Sequence, residues 1–408
     1  MNISGTSNCY GCGVCAAVCP KNIIGIRLNA DGFYEPVLTD VIKCVDCGLC
    51  VKVCSFRADT LAVYNKVVAS YAAWSRDAVV RRKCSSGGIG FELGRTLINN
   101  GYKVCGVKYN PNSNRAEHYI AATVKELIPS IGSKYIQSYT VDGFKAINRK
   151  EKYLVAGTPC QIDSFRRYIR KFRCEDNFVL MDFFCHGVPS MLLWDKYVRE
   201  VEKVTGKITY ASWRNKLTGW HDSWSMSMGG EKTGENVDWH DSYNMLIRGK
   251  KGFYNSRLSQ GDAFSRLFLS DQCLGNACYK RCKFKYDCSS ADIRIGDLWG
   301  QTYAENEAGV SAVVAFTDRG RRAVEQSGCQ LTVLPFSTVA EGQMKKSPKA
   351  DCRYARLDKM LRSGTATTAD MTAMLDRYEL IMRLSYPLRH PLRMVKNIVM
   401  KRILRIKK

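Results

Sequence analysis

The chain has 408 residues, with 62 Lys plus Arg against 38 Asp plus Glu, a formal net charge of +24. Roughly two to four domains fit that length, and the charge favours acidic partners such as a small acidic electron carrier, phosphorylated or carboxylated substrates, anionic lipid or nucleic acid. No run approaches the ~20 uninterrupted apolar residues of a membrane span, and no recognition-helix or RNA-binding motif appears, which sets integral membrane and nucleic-acid-sensing roles aside.

Of the nineteen cysteines, eight fall in two runs near the N-terminus. Cys9, Cys12, Cys15 and Cys19, followed by Pro20, read C-x2-C-x2-C-x3-C-P; Cys44, Cys47, Cys50 and Cys54 repeat the spacing without the proline. This is the bacterial two-cluster ferredoxin pattern, in which three thiolates of a run take one cubane and the fourth reaches the other. The spacing therefore predicts one 4Fe-4S cluster on Cys9, Cys12, Cys15 and Cys54, and a second on Cys44, Cys47, Cys50 and Cys19. Zinc prefers separated C-x2-C pairs. Disulfides need an oxidising compartment, and Met1 leads within a few residues into the first cysteine loop with no signal-peptide pattern, so a cytoplasmic location is expected. Between the runs, Asn29-Ala30-Asp31-Gly32 predicts a hairpin turn flanked by Ile23 to Ile26 and Tyr34 to Val37.

From about Ala62 the pattern alternates between strand and helix: strands over Val67 to Trp74 and Tyr102 to Val107, a helix over Gly90 to Asn99, then short apolar runs at Tyr153 to Ala156 and Phe178 to Phe184, with a helix starting near Gln161. Such alternation predicts an α/β core. Residues 208–252, rich in Trp, Tyr, Ser and Gly, read as a β-rich insertion supplying a pocket wall; Val310 to Phe316 reads as a strand, and the chain turns helical beyond about Val339. The expected organisation is an α+β ferredoxin module (1–60), an α/β core in two parts (61–150 and 151–338), which the family resemblance set out below implies is flavin-binding, and a basic helical C-terminal tail (339–408).

Two cysteines stand directly after apolar strands, Cys160 in Gly-Thr-Pro-Cys-Gln and Cys185 in Cys-His-Gly, where the carboxyl ends of parallel strands line a ligand crevice. A third group, Cys273, Cys278, Cys282 and Cys288, follows. Soft thiolates favour iron–sulfur or zinc. The preferred assignment is a third 4Fe-4S cluster on Cys160, Cys185, Cys278 and Cys282, with structural zinc as the alternative. Ser85-Ser86-Gly87-Gly88 precedes an amphipathic helix and is open to two readings, a cradle for a cofactor phosphate or a helix cap with no ligand. His186 either handles protons or only bonds a backbone carbonyl. Trp213, Trp220, Trp224 and Trp239 either stack on a flat ligand or fill the core.

Six ordered stretches carry a family likeness: Ser85-Ser86-Gly87-Gly88, Gly132-Ser133-Lys134-Tyr135, Gly157-Thr158-Pro159-Cys160-Gln161, Cys185-His186-Gly187-Val188-Pro189-Ser190, Arg214-Asn215-Lys216 with Thr218-Gly219-Trp220, and Asp292 to Gly300. Across roughly Met1 to Phe316 the chain resembles the coenzyme F-420 (deazaflavin) hydrogenase/dehydrogenase beta-subunit family, in the bacterial form with an N-terminal two-cluster ferredoxin module. The resemblance implies a flavoprotein, normally with FAD, exchanging electrons beside an iron–sulfur cluster. Family members reduce the deazaflavin, chlorophyll derivatives or partner proteins, and similar bacterial chains occur among polysaccharide-assembly genes. It further implies that Ser85 to Gly88 help seat the flavin and that Asp297 contacts it or caps the next turn. Lys134 and Arg214 then face its phosphates or an acidic substrate, with His186 as a third catalytic candidate. The implied partners are an acidic ferredoxin-like carrier, a deazaflavin or a nicotinamide. The family's usual C-x2-C is here Cys278-x3-Cys282, with Cys288 beyond.

The C-terminus places Leu392, Val395, Val399, Ile403 and Ile406 on one helical stripe among basic residues, with no acidic residue after Glu379. That pattern suits either peripheral contact with an anionic membrane at its inner face, or a helix packed on the protein itself.

Overall fold

The computed structural model describes residues 2–233 and 253–386. Nine of its strands are β3 (Ala69–Trp74), β4 (Lys103–Asn110), β5 (Arg115–Ala121), β6 (Ser138–Tyr139), β7 (Tyr153–Ala156), β8 (Phe178–Phe183), β12 (Ile293–Asp297), β13 (Ser311–Ala315) and β14 (Gln330–Val333). They form a central nine-stranded mixed sheet in the order β14-β3-β13-β12-β8-β7-β4-β5-β6. The middle four, β4, β7, β8 and β12, run parallel to one another. Both faces of such strands are covered, so their side chains are apolar in succession rather than alternating: Leu154, Val155, Phe178, Val179 and Leu180 are all buried. Four parallel strands put four carboxyl ends along one edge, and the site is built on that edge.

The two halves expected as 61–150 and 151–338 share this one sheet, because β3 pairs with β13 and β14 while β4 pairs with β7. The expected insertion consists of β9 (Ile208–Ser212), β10 (Ser225–Gly230) and β11 (Phe253–Arg257), which form a separate antiparallel sheet in the order β11-β10-β9. It extends five residues past the expected end, and Trp239 lies outside the described residues. Trp213 belongs to a buried cluster with Trp194, their ring centroids 4.7 Å apart.

In the first sixty residues, β1 (Ile24–Leu28) and β2 (Tyr34–Leu38) form the expected antiparallel hairpin, and short helices Val14–Ala17 and Leu49–Lys52 follow the cysteine loops. This module is bolted to the core by polar contacts. Gln137 accepts from Tyr34 N and donates to Tyr10 O, and Thr140 Oγ1 donates to Cys12 O at 2.9 Å. The hairpin turn meets the start of the helix Met191–Thr205, where Met191 N donates to Gly32 O and Ser190 Oγ to Asp31 O. Gly32 sits at φ +78°, and a Cβ there would come within 2.9 Å of Leu192 N, so glycine answers both the turn and the close approach.

Beyond Val339 the chain is helical as expected, but the helices Arg353–Arg362 and Thr368–Leu384 are not a free tail. Leu357, Leu361, Met371, Met374 and Leu375 are buried against the helix Met191–Thr205, and Arg362 pairs with Asp31 of the ferredoxin hairpin. The amphipathic basic stripe from Leu392 onward lies outside the described residues. Among those described, no helix is long and apolar enough to cross a membrane.

Candidate redox centre

The cysteines gather into three sets. Cys19, Cys44, Cys47 and Cys50 line one hollow of about 360 Å³ together with Ile23, Ile24, Leu38, Val45 and Leu49. Cys47 is exposed, so this set lies at the surface. Cys9, Cys12, Cys15 and Cys54 form the second set. The thiol of Cys15 is pushed well up by burial first and then by the neighbouring Cys12, Cys9 and Cys54. Burial likewise pushes Cys12 up to about 11 and Cys9 up to about 12. The crossed pairing of the two runs, with Cys19 among the second run and Cys54 among the first, follows from the short helices that throw each fourth cysteine toward the opposite loop.

The third set stands at the sheet edge. Cys160 follows β7 as the second residue of the helix Pro159–Lys171, and Cys185 lies two residues past β8, the adjacent parallel strand. Cys278 and Cys282 come from the short helix Asn276–Lys280 and the loop after it. All four line a cavity of about 680 Å³, counting its open mouth, with Tyr10, Thr158, Phe284 and Lys285. Burial pushes the Cys185 thiol up to about 12, opposed by the Lys285 ammonium; Cys160 and Cys278 are also raised by burial. Three of these thiols, Cys160, Cys185 and Cys278, resist ionisation on their own and need a cationic partner to become thiolates. No three His, Cys, Asp or Glu side chains among the described residues converge as one metal ion would require. Soft sulfur donors of this kind suit an iron–sulfur cluster or zinc.

The second and third sets adjoin. Cys9 and Tyr10 line the third cavity, and Cys12 is close enough to Cys160 to raise its thiol. Tyr10 fills the space between them, its ring edge-on to Phe56 at 5.3 Å and Phe284 at 5.7 Å, with its hydroxyl donated to Arg281 O. This aromatic plug keeps water out of the junction.

The other expected site residues are placed differently. Arg214, 1% exposed, pairs with Asp297 at 3.0 Å, donates to Tyr135 Oη and Ser223, and lies over the rings of Trp224 and Trp299. Asp297 also accepts from Trp220 Nε1 at 2.9 Å. Each neutralises the other, so the two residues expected to meet a cofactor or an acidic substrate are engaged with one another. Ser86 and Gly87 are also committed: Ser86 Oγ donates to Val310 O, and Gly87 N donates to Ser311 Oγ, both across to β13 and its approach. A Cβ on Gly87 would strike Ala73 O and come within 2.7 Å of Ser311 N, so close packing on the sheet by itself requires glycine here. Ser85 accepts from Ser133 N through its hydroxyl. Gly88, at φ +97°, starts the helix Ile89–Asn99, whose buried first turn has no side-chain cap. Lys134 and Lys216 lie near Cys84, just before that turn, and burial lowers both lysines to about 7. The uncapped helix start with Lys134, whose Nζ donates to Pro129 O and Ile131 O, fits an anion; Lys216 is committed to backbone carbonyls and the Gly87 N–H to Ser311 Oγ.

His186 Nε2 lies 2.7 Å from Asp271 Oδ1, with its ring 4.9 Å from Phe268. It is held by a carboxylate, a partner absent from both sequence readings. Sequence reasoning also missed Lys285, whose Nζ donates to the carbonyls of Cys185 and His186; its position between Cys282 and Cys288 was the available signal. Cys273 donates to Leu267 O inside the helical core, and Cys288 lies outside the third cavity's lining.

Paired cysteine runs in a module fixed against a thiolate-lined sheet edge define an iron–sulfur protein of the electron-transfer kind. Residues 7–58 match the family model described as 4Fe-4S dicluster domain, and residues 150–334 match the model for the C terminus of the beta subunit of coenzyme F420 hydrogenase/dehydrogenase. Both matches fit the coenzyme F420 hydrogenase/dehydrogenase beta-subunit family, with a 4Fe-4S dicluster domain ahead of the stretch similar to that family's C terminus. Among solved structures it is similar to a chain of the F420-reducing [NiFe] hydrogenase complex from Methanosarcina barkeri, with a TM-score of 0.44 and 16% identity, over 77% of this chain and 93% of that one. No curated protein matches.

Proposed function

We propose that this chain is an iron–sulfur flavin-dependent oxidoreductase that takes up single electrons at its N-terminal module and delivers them at the sheet edge to reduce, or in reverse oxidise, a small substrate or carrier. The observation that carries the reading is the contiguity of three cysteine sets, from exposed Cys47 through Cys9 and Cys12 to Cys160. When bound, each cluster carries one electron and a flavin one or two, which turns single-electron delivery into two-electron chemistry.

The protein's own part is positional and electrostatic. The proposed ligands are Cys19, Cys44, Cys47 and Cys50 for the outer cluster, Cys9, Cys12, Cys15 and Cys54 for the middle one, and Cys160, Cys185, Cys278 and Cys282 for the inner one. Lys285 offsets negative charge at the inner set, while Tyr10 and Phe284 exclude water. Neighbouring charge and solvent exclusion are the levers by which protein tunes a cluster's potential. For the flavin, the uncapped start of Ile89–Asn99 with Lys134 is the proposed phosphate seat. Mass spectrometry of cofactor released from anaerobically purified protein tests this. FAD or FMN at about one per chain is expected, and protein that neither carries nor binds flavin would reject it.

The mutual engagement of Arg214 and Asp297 favours a second reading, an electron-transfer subunit feeding a partner enzyme with no small substrate of its own. Full cluster content without flavin would select it.

A further inference from the structure

We propose that the loop between Thr39 and Cys47 is the electron-uptake surface and that its occupant is a one-electron carrier protein that docks through an apolar face, not through opposite charge. The inference rests on the relay reading of the N-terminal module and names its partner's docking chemistry. It is independent of the third cysteine set and of the flavin.

Ile42 is 96% exposed, Val41 62% and Val45 58%. All three lie among the cysteines of the outer set: Cys44 separates Ile42 from Val45, and Val45 lines the same hollow as Cys19, Cys44, Cys47 and Cys50 while also reaching solvent. Val37, two residues before Thr39, is exposed too. Scattered exposed aliphatics need no explanation, but a group of them directly over a redox site does, since contiguous apolar surface marks an interaction face. An occupant that brings a redox group against Cys47 must cover these residues.

The charge there decides what kind of occupant. The chain as a whole carries +24, but from Cys19 to Cys54 the basic residues Lys21, Arg27, Lys43 and Lys52 are matched by Asp31, Glu35, Asp40 and Asp46. Three of these are already paired, Lys43 with Asp40 at 2.8 Å and Asp31 with Arg362 from outside the segment. A locally neutral face gives an acidic carrier no steering. An acidic ferredoxin-like carrier, expected from the charge of the whole chain, would gain little electrostatic attraction at this loop. In the step itself one electron leaves the reduced carrier and one is taken up at the outer set, with no bond made or broken and no proton moved.

The test is anaerobic stopped-flow reduction of the full holoprotein by three probes: reduced methyl viologen, a reduced two-cluster ferredoxin and a reduced flavodoxin. Ile42→Asp should slow reduction by at least one of the carrier proteins by about tenfold, while Ile42→Val stays near wild type and the viologen rate is unchanged in both. The wild-type rate with that carrier should change less than about twofold between low and high salt. Iron and sulfide equal to wild type confirm that Ile42→Asp keeps its clusters. Steep loss of rate with salt and no effect of Ile42→Asp would overturn the apolar face, and no reduction by either carrier would overturn the choice of occupant. Binding to vesicles, or self-association abolished by Ile42→Asp, would assign the face to lipid or to a second copy. Failure of the viologen reaction in wild type would instead count against the relay.

Discussion

Arg294 and Asp182 form a two-pronged ion pair between neighbouring strands, Nε to Oδ1 and Nη2 to Oδ2, each at 2.7 Å and neither side chain exposed. The remaining guanidinium donors bond Tyr286 O and Cys288 O, and Ser289 Oγ donates to Asp182 at 2.6 Å. One buried pair thereby fixes the loop that leaves Cys282 against the strand that leads to Cys185. Such a pair adds little net stability but is costly to break from one side, because the survivor is an uncompensated buried charge.

Arg294→Met is therefore expected to destabilise the fold by about 3–5 kcal/mol and to loosen the third cysteine set. Arg294→Met with Asp182→Leu should regain much of the stability. Denaturant midpoints of the three proteins under anaerobic conditions check this, and equal midpoints for the single and double variants would contradict it.

Gly87→Ala separates packing from ligand binding. Its Cβ would strike Ala73 O on β3, so the substitution should lower stability whether or not a cofactor is bound. A thermal melt of cofactor-stripped protein reads it, and an unshifted melt would show that this glycine is there for a ligand.

Lys216 gives a pH prediction with a definite sign. Its Nζ donates to the carbonyls of Arg81, Ser86 and Ala308, and burial lowers it to about 7. Below that pH the ammonium is charged in both folded and unfolded chains, and the fold bears the whole cost of burying it. As pH rises above about 7 the folded chain releases the proton while the unfolded chain keeps it up to the ordinary lysine value of 10.5, so stability rises with pH. Midpoints measured from pH 6 to 8.5, below the thiol range, should climb in wild type and climb less in Lys216→Met. A fall, or identical slopes, would contradict the assignment.

Much of this was legible in the sequence because cysteine spacing and strand periodicity are local. The eight N-terminal cysteines, the hairpin at Asp31-Gly32, the helix after Gly88 and the strand-end positions of Cys160 and Cys185 all follow from neighbours within a few residues. The partners of Arg214, Asp297 and Gly87 were not legible, because each includes a residue more than eighty positions away: Asp297 for Arg214, and Ser311 for Gly87. The same holds for His186, whose Asp271 lies on a distant loop. The packing of the helices between Arg353 and Leu384 was likewise hidden, since their many charged residues suggest solvent and only the buried Leu357, Met371 and Leu375 show the docking.

The central claim is a relay of three cysteine sets, and iron with acid-labile sulfide counted on anaerobically purified protein tests it most directly. The account predicts about twelve iron atoms per chain in wild type, and about eight in Cys160→Ser or Cys185→Ser with the spectroscopic signals of the N-terminal module retained. About eight in wild type, or an unchanged count in both variants, would contradict it.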